Sequence, residues 1–242
     1  MKVARSLAPL RHRPFALLWA GAFVSNIGTW METVAVGVLV TTATGQAGWA
    51  GLVAAAGFVP TAVLGPVGGA LADRANRRHL MLATTTVQTA LATLLTLLAV
   101  MGEPSPGGVT LIVLAAGCAM ALGFPAYQAL LPDLVPRGDL PGAVALSSAQ
   151  WNLGRVIGPA LAGVVIGVGG YAWAFGINAA SFLAVVVVLV AIRPPPRRRE
   201  ADASMVAAIR AGARFARTEP GLRVVIGYMA LNTLLAAPFI AL

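Results

Sequence analysis

Glu32 has the clearest chemical potential in this sequence, because it is a carboxylate inside a long apolar run. It lies about 17 residues into the run that begins at Phe15, roughly 25 Å along a helix. Ser25 and Gly28 precede it on the same helix face. A carboxylate within a membrane costs roughly 2.5–3.5 kcal/mol, so it should face a cavity or a partner. We interpret Glu32 as a site for a proton or a cationic substrate group. The alternatives are a structural hydrogen bond or a position nearer the outer surface.

Arg155 is a second ionisable residue well inside an apolar run. Ser148, Trp151 and Asn152 precede it at spacings of seven, four and three, so a helix places them on its face. This guanidinium could capture an anionic substrate group, or form an ion pair with Glu32 that protonation would break. The alternative is a static clamp on helix-end carbonyls or on a neighbouring span.

Uncharged polar residues within the apolar runs are candidates to line a cavity around these two groups. They are Ser25, Asn26, Tyr127, Gln128 and Asn152, with Asn178 and Asn232 as further candidates. Each could instead make a hydrogen bond between helices, worth roughly 0.6–2 kcal/mol. The sequence shows no nucleotide-binding loop, nucleophile triad or metal-ligand cluster. We therefore predict that the chain is not an enzyme and that it needs no cofactor.

The composition indicates that these polar and charged residues belong to a membrane protein. Of the 242 residues, 58% are hydrophobic and only 10% are charged, and apolar runs near 20 residues are typical of membrane helices. The net charge of +9 is compatible with nucleic acid binding, but the arginines stand in short blocks between apolar runs, where they set topology. We expect the lipid bilayer, and no nucleic acid, as a partner. A single cysteine, Cys118, excludes a disulfide framework.

Six complete membrane spans and an incomplete seventh are predicted, so the expected fold class is an all-α membrane protein. The predicted spans are 15–41, 49–72, 80–101, 109–131, 142–168, 171–192 and 222–242. These spans divide the chain into three predicted segments. They are a six-span bundle over 1–192, a basic linker with an amphipathic helix over 193–221, and the start of a second bundle over 222–242. We expect the sequence to be truncated there, with the C-terminal half of the same protein as its missing partner.

The basic residues of the loops sort to one side of this arrangement. Before span one they are Lys2, Arg5, Arg11 and Arg13; after span two, Arg74, Arg77 and Arg78; after span four, Arg137; and after span six, eight arginines from Arg193 to Arg223. The alternate loops contain no lysine or arginine. The positive-inside rule therefore predicts a multi-pass protein of the bacterial inner membrane with a cytoplasmic N-terminus.

The loop between spans two and three contains a recognisable motif, GALADRANRR over 69–78. It resembles the loop motif of the major facilitator superfamily. The matching residues are Gly69, Asp73, Arg74, Arg77 and Arg78. Asn76 replaces the usual glycine, and asparagine tolerates the left-handed conformation that we expect there. The resemblance implies that Asp73 latches a gate against the C-terminal half with help from Arg74 and Arg78, whereas we interpret Arg77 as a charge that sets topology.

Three further stretches, 19–31, 125–136 and 152–163, resemble the enterobactin-exporter branch of that superfamily. The last resembles the span-five motif associated with antiporters, carried here by Gly154, Gly158, Pro159 and Gly163. Gly154, Gly158 and Ala162 form a ridge of small residues that favours close helix packing, with a hinge at 158–159 as the alternative. We expect a similar ridge at Gly65 and Gly69.

The resemblance implies a twelve-span protein whose two bundles rock about a central cavity, and this chain would be its N-terminal bundle. The expected function is secondary active transport, with export of a small amphipathic molecule such as a drug or siderophore, driven by protons. Small-molecule substrate and protons are thus the expected ligands. An importer of the same fold and a truncated half-molecule without transport are the alternatives.

Overall fold

The computed structural model describes residues 7–102 and 104–192, together with 212, 214–215, 217–225, 227–228 and 231. After a short 3-10 helix at Ala8–Arg11, the chain forms α1 (Arg13–Thr44), α2 (Ala47–Arg74), α3 (Arg77–Met101) and α4 (Pro106–Leu134). A second 3-10 turn at Arg137–Asp139 leads into α5 (Leu140–Ala191). Within the described residues these five helices are long and apolar enough to cross a membrane, which confirms the all-α membrane fold class.

The long helix α5 consists of two arms that reverse direction at Gly170. This glycine has φ 71° and ψ −174°, a backbone conformation outside the helical region that glycine adopts without steric cost. Ala143 near the start of the first arm (140–169) and Leu189 near the end of the second (171–191) belong to one hydrophobic cluster. Ala162 and Ala174, which flank the turn, belong to another cluster. The two arms are therefore antiparallel, and residues 13–191 form six rods.

The two ends of the bundle differ in charge. One end, here called the arginine end, contains the beginnings of α1 and α3 and the ends of α2 and α4, with Arg11, Arg13, Arg74, Arg77, Arg78 and Arg137. The chain turns at the other end through segments that include Gly45, Gly102 and Gly170, each with positive φ. The basic residues of 7–192 are therefore at the arginine end, except Arg155.

The junction between α2 and α3 differs from the expectation for Asn76. Its φ of −66° is outside the left-handed region. The Asn76 side chain instead accepts a hydrogen bond from the backbone N–H of His79 at 3.2 Å. Asparagine is favoured at this position because its short side chain satisfies a backbone donor of the first helical turn. Asn76 is thus the N-cap of α3, and the prediction of a left-handed turn residue was wrong.

Small residues bring α1 very close to the first arm of α5. A Cβ atom added to Gly158 would lie 2.5 Å from Trp30 Cβ and 2.8 Å from the carbonyl oxygen of Ile27. One added to Gly154 would lie 2.6 Å from Asn26 Nδ2. Backbones that approach this closely gain van der Waals contact, which drives helix association in lipid.

Other positions of the predicted ridges have different surroundings. Gly68, rather than Gly65 or Gly69, provides the close contact of α2, because a Cβ there would meet the carbonyl oxygen of Ala121 on α4. Gly65 and Gly69 have no atom of the described residues within 4 Å of such a Cβ, so no described helix packs on the ridge expected there. Gly163 is likewise open. Pro159 is half-buried and cannot donate a backbone hydrogen bond to the carbonyl of Arg155.

Two predicted features fall mostly outside the described residues. Compact units are found over Met1–Arg198 and Arg199–Leu242. The amphipathic helix expected over 202–217 lies largely in the residues that are not described, as does the seventh span after 231. Within the second unit, the described residues 220–225 are helical.

Replacing Gly158 tests the close packing of α1 on α5. We expect Gly158→Ala to lower the free energy of unfolding by about 1–3 kcal/mol, because the new methyl group meets backbone atoms that cannot move aside. Gly163→Ala is the matched control, since its methyl group would enter open space. Thermal unfolding of the purified protein in detergent measures both, and equal stability of the two variants would contradict the packing argument.

Candidate functional site

Arg155 lies on an exposed face of α5 and stacks on an aromatic ring of α1. Its guanidinium carbon is 5.6 Å from the centroid of the Trp30 ring. A cation over an aromatic face is attracted by the ring quadrupole, and arginine can stack there while its N–H groups remain free at the edge. Among the described residues, Arg155 has no carboxylate within ion-pair distance. Its charge is therefore not neutralised by a carboxylate of the described residues.

Trp30 belongs to a continuous row of rings across four helices. Its ring centroid is 6.4 Å from that of Phe58 on α2 and 6.3 Å from that of Trp151 on α5, the latter in an edge-to-face arrangement. Phe124 on α4 extends the row, 5.4 Å from Trp151. We call Phe58, Trp30, Trp151 and Phe124 the aromatic row. Phe58 and Phe124 are exposed, so the row presents ring surface at the outside of this unit.

The exposed polar residues indicate which environment this face meets. Gln128 lies one helical turn after Phe124, and Asn152 follows Trp151 directly; both are exposed. Among the described residues, the side chain of Asn152 donates only to the carbonyl of Ser148 in its own helix, at 2.8 Å. Hydrocarbon contact would be costly for the Arg155 guanidinium within a membrane. The face with the aromatic row is therefore suited to water or to further protein rather than to lipid.

Glu32 lies on a different side of α1 and contacts the second arm of α5. Asn178 Nδ2 donates to Glu32 Oε2 at 2.7 Å. Asn178 is fully buried, and Ser181 Oγ donates to its backbone carbonyl oxygen at 2.7 Å. Gly28 makes this approach possible, because a Cβ at residue 28 would lie 2.5 Å from Asn178 Oδ1. The carboxylate thus connects the first and last rods of the bundle.

The structure does not show the ion pair that we considered between Glu32 and Arg155. Glu32 contacts Asn178, whereas Arg155 contacts Trp30. Within the described part of the chain, the ion pairs are His12–Asp139 and Arg77–Asp133. Glu32 and Arg155 meet different neighbours because the rotation of each helix about its own axis turns the two side chains in different directions.

Three of the predicted polar residues meet in a cavity inside the bundle. Ser25, Asn26 and Tyr127 line a cavity of 110 Å³ together with Gln150 and the α3 residues Thr84, Thr85 and Gln88. Sequence reasoning missed the four residues from α3 and α5. A signal was present for α3, because Thr84, Thr85 and Gln88 recur at helical spacing within an apolar run.

Hydrogen bonds in this cavity leave one acceptor unused. Asn26 Nδ2 donates to the carbonyl of Gln150 at 3.0 Å. The Tyr127 hydroxyl lies 3.2 Å from that of Ser147 and donates to Gln150 Oε1 at 3.4 Å. Asn26 Oδ1 is buried and has no hydrogen-bond partner among the described residues.

Arginine residues of the loop motif hold the rods together at the arginine end. Arg77 Nη1 donates to Asp133 Oδ2 at 2.9 Å and to the carbonyl of Ala129 at 2.6 Å. Arg78 donates through Nε and Nη2 to the carbonyls of Leu189 and Val190 at the end of α5. A cation beside these terminal carbonyls is favourable because helix C-termini have a partial negative charge.

The outcome for Arg77 differs from the sequence interpretation of this motif. We expected Arg77 only to set topology, yet its side chain joins α3 to α4 through Asp133. Asp73 is exposed at the end of α2 and makes no hydrogen bond or ion pair with the described residues. Among the described residues, the structural contacts of this motif are therefore made by Arg77 and Arg78 and not by Asp73.

Asp133→Asn tests the contribution of the Arg77 ion pair. We expect a loss of about 1–2 kcal/mol of unfolding free energy. The ion pair is partly buried, so its contribution should be larger than that of an exposed pair and smaller than that of a fully buried one. The unfolding free energy of Asp73→Asn should remain within about 0.5 kcal/mol of that of the parent, because the replaced side chain is exposed and makes no hydrogen bond or ion pair with the described residues. Thermal unfolding in detergent compares the two; a larger loss for Asp73→Asn would refute this assignment.

Comparisons with known proteins agree with the motifs. A family model described as transmembrane secretion effector matches residues 4–242. The enterobactin exporter EntS of Citrobacter koseri is 34% identical over 196 residues, which cover 78% of this chain and 46% of the relative. The EntS proteins of Shigella boydii serotype 18 and Escherichia coli O1:K1 are 33% and 32% identical over 216 residues, 86% of this chain and 50% of each relative.

The chain spans about half the length of the curated relatives it matches. The family match extends over nearly every residue, and the loop motif and five apolar helices agree with it. The chain therefore belongs to the transmembrane secretion effector family of the major facilitator superfamily.

Proposed function

We propose that this chain forms the N-terminal half of a secondary active exporter, which binds a small amphipathic molecule between two bundles and releases it by alternating access. The observation that carries the proposal is the Arg155 guanidinium exposed on the aromatic row. The missing partner is the C-terminal half of the same protein, placed against the face that contains this row. The membrane is a bacterial inner membrane, with the arginine end in the cytoplasm, in agreement with the positive-inside rule.

The chemistry of this face favours an amphipathic ligand. Phe58 and Phe124 offer exposed ring surface, on which an apolar or aromatic body can pack. The edge of the Arg155 guanidinium offers several N–H donors, which suit an anionic group such as a carboxylate. Gln128 and Asn152 add uncharged polar contacts on the same face. The EntS relatives are named for export of enterobactin, which supports export as the direction.

Proton coupling is assigned to Glu32 in this proposal. Its bond to Asn178 connects α1, which contains Trp30 of the aromatic row, to the second arm of α5. A protonated carboxyl group is a donor as well as an acceptor, so binding or release of a proton changes what Glu32 can share with Asn178. We propose that this change alters the packing of the two rods and thereby the access to the row.

The loop motif is proposed to act at the gate. Asp73 is exposed at the arginine end and is positioned to contact the C-terminal half when the cavity is closed on that side. Gly69 faces open space one turn before it, so another helix could approach there. Arg77 and Arg78 keep the adjoining helix ends in register through contacts of their own.

Substitution of Arg155 tests the proposed binding face. In inverted membrane vesicles that contain the full-length gene product, Arg155→Gln should slow uptake of radiolabelled para-isobutylbenzoate by roughly tenfold or more, because hydrogen bonds to a charged group are lost. Arg155→Lys should give an intermediate rate, since it keeps the charge but loses the planar fork.

Arg137→Gln is the matched control, because Arg137 is an exposed arginine at the arginine end and outside this face. An unchanged rate for Arg155→Gln would contradict the proposed face. Accumulation only in right-side-out vesicles would indicate an importer of the same fold, and the absence of flux in both vesicle types would indicate a half-molecule without transport.

Glu32→Gln tests the coupling role without removing the hydrogen bond. The glutamine oxygen can still accept from Asn178, so the protein level in the membrane should be unchanged. Proton-driven transport of the benzoate should be abolished, because glutamine does not titrate. Quenching of a pH-sensitive dye in the same vesicles measures the coupled proton movement; undiminished transport and proton movement would exclude Glu32 as the coupling group.

A further inference from the structure

The cavity behind the aromatic row has a composition that suggests a ligand of its own. Residues from α1, α3, α4 and both arms of α5 line it, and none of them is charged. Its volume of 110 Å³ is well above the roughly 10–15 Å³ that a cavity needs to hold a single water. A space of this size near the middle of the rods suits an uncharged polar group of a few atoms.

Asn26 has a buried acceptor that requires a hydrogen-bond donor. The residue is only 5% exposed, and its Oδ1 atom has no partner among the described residues. An unsatisfied buried acceptor costs roughly 1–3 kcal/mol, which an N–H or O–H donor in the cavity would remove. The amide orientation is set by Nδ2, which donates to the Gln150 carbonyl and so turns the oxygen away from that contact.

The cavity and the aromatic row share two rings. Trp151 and Phe124 belong to the row and also line the cavity. A molecule held at Arg155 and packed on the row would therefore have the cavity within its reach, past these two side chains. Gln88 and Thr85 of α3 lie among the cavity residues and add polar groups that could bind the same substituent.

We propose that this cavity is a second subsite of the transporter, which accepts an uncharged amide or hydroxyl substituent of the transported molecule through Asn26 Oδ1. The inference rests on the proposed function, since it assumes that the rest of that molecule occupies the aromatic row. The substrate class it defines is an amphipathic anion with an aromatic or apolar body and a neutral hydrogen-bond donor.

A pair of benzoates of matched shape tests the subsite. In para-acetamidobenzoate the substituent offers an N–H donor, whereas in para-isobutylbenzoate carbon replaces nitrogen and oxygen at similar shape. Equilibrium dialysis of the full-length protein in nanodiscs measures the affinity for each. Asn26→Leu should weaken binding of the acetamido compound by roughly tenfold or more and leave the isobutyl compound unchanged, because only the first loses a hydrogen bond.

Two further variants keep the test decisive. Gln88→Met removes a second polar group from the cavity without breaking a hydrogen bond of the described structure, and it should act in the same direction as Asn26→Leu. Thr33→Val is the control, because Thr33 is exposed on α1 and is not among the residues that line the cavity.

The outcomes separate the subsite from the proposed function. If both cavity variants alter the two affinities equally, or alter neither, the subsite is refuted while the Arg155 face stands. If the parent protein binds neither benzoate, the proposed function fails and the subsite fails with it. Selective loss of the acetamido compound in both variants, with Thr33→Val unchanged, supports the subsite.

Discussion

The close contact between α1 and α5 is the constraint on which the other features depend. Gly154 and Gly158 let the first arm of α5 approach the backbone of α1, and Gly28 lets the second arm approach from another side. Without these glycines the rods could not come close enough for Trp30 to meet Trp151, or for Glu32 to accept from Asn178. Helices in lipid lack a hydrophobic force between them, so this surface contact must supply the association energy.

The polar groups inside the bundle follow from the same contact. Charges and amides within a membrane need partners or a wet cavity, and close rods provide partners at hydrogen-bond distance. Glu32 and Asn178 satisfy each other in this way, while Asn26 is satisfied only through its nitrogen. The contacts of α1 with the two arms of α5 therefore differ: the second arm holds the hydrogen-bonded Glu32–Asn178 pair, and the first arm borders a cavity with an unsatisfied acceptor.

Much of the architecture could be predicted from local sequence. Apolar runs of membrane length predicted helices close to α1, α2, α3 and α4, and the Gly169–Gly170 pair marked the reversal within α5. The motif over 69–78 indicated the family that the comparisons confirm. These features depend on residues near each other in the chain. Conversely, Asn76 was assigned the wrong conformation, because a cap and a left-handed turn both favour asparagine.

The sequence alone determined the number and order of apolar rods and the end of the bundle at which the arginines gather, because both follow from periodicity and from the spacing of charges. Only the tertiary structure decided which neighbour each buried group meets. Arg155 stacks on Trp30, 125 positions earlier, and Glu32 accepts from Asn178, 146 positions later. Such pairings depend on the rotation of each helix about its axis and on the glycine contacts that set the distance between rods, which no local pattern specifies.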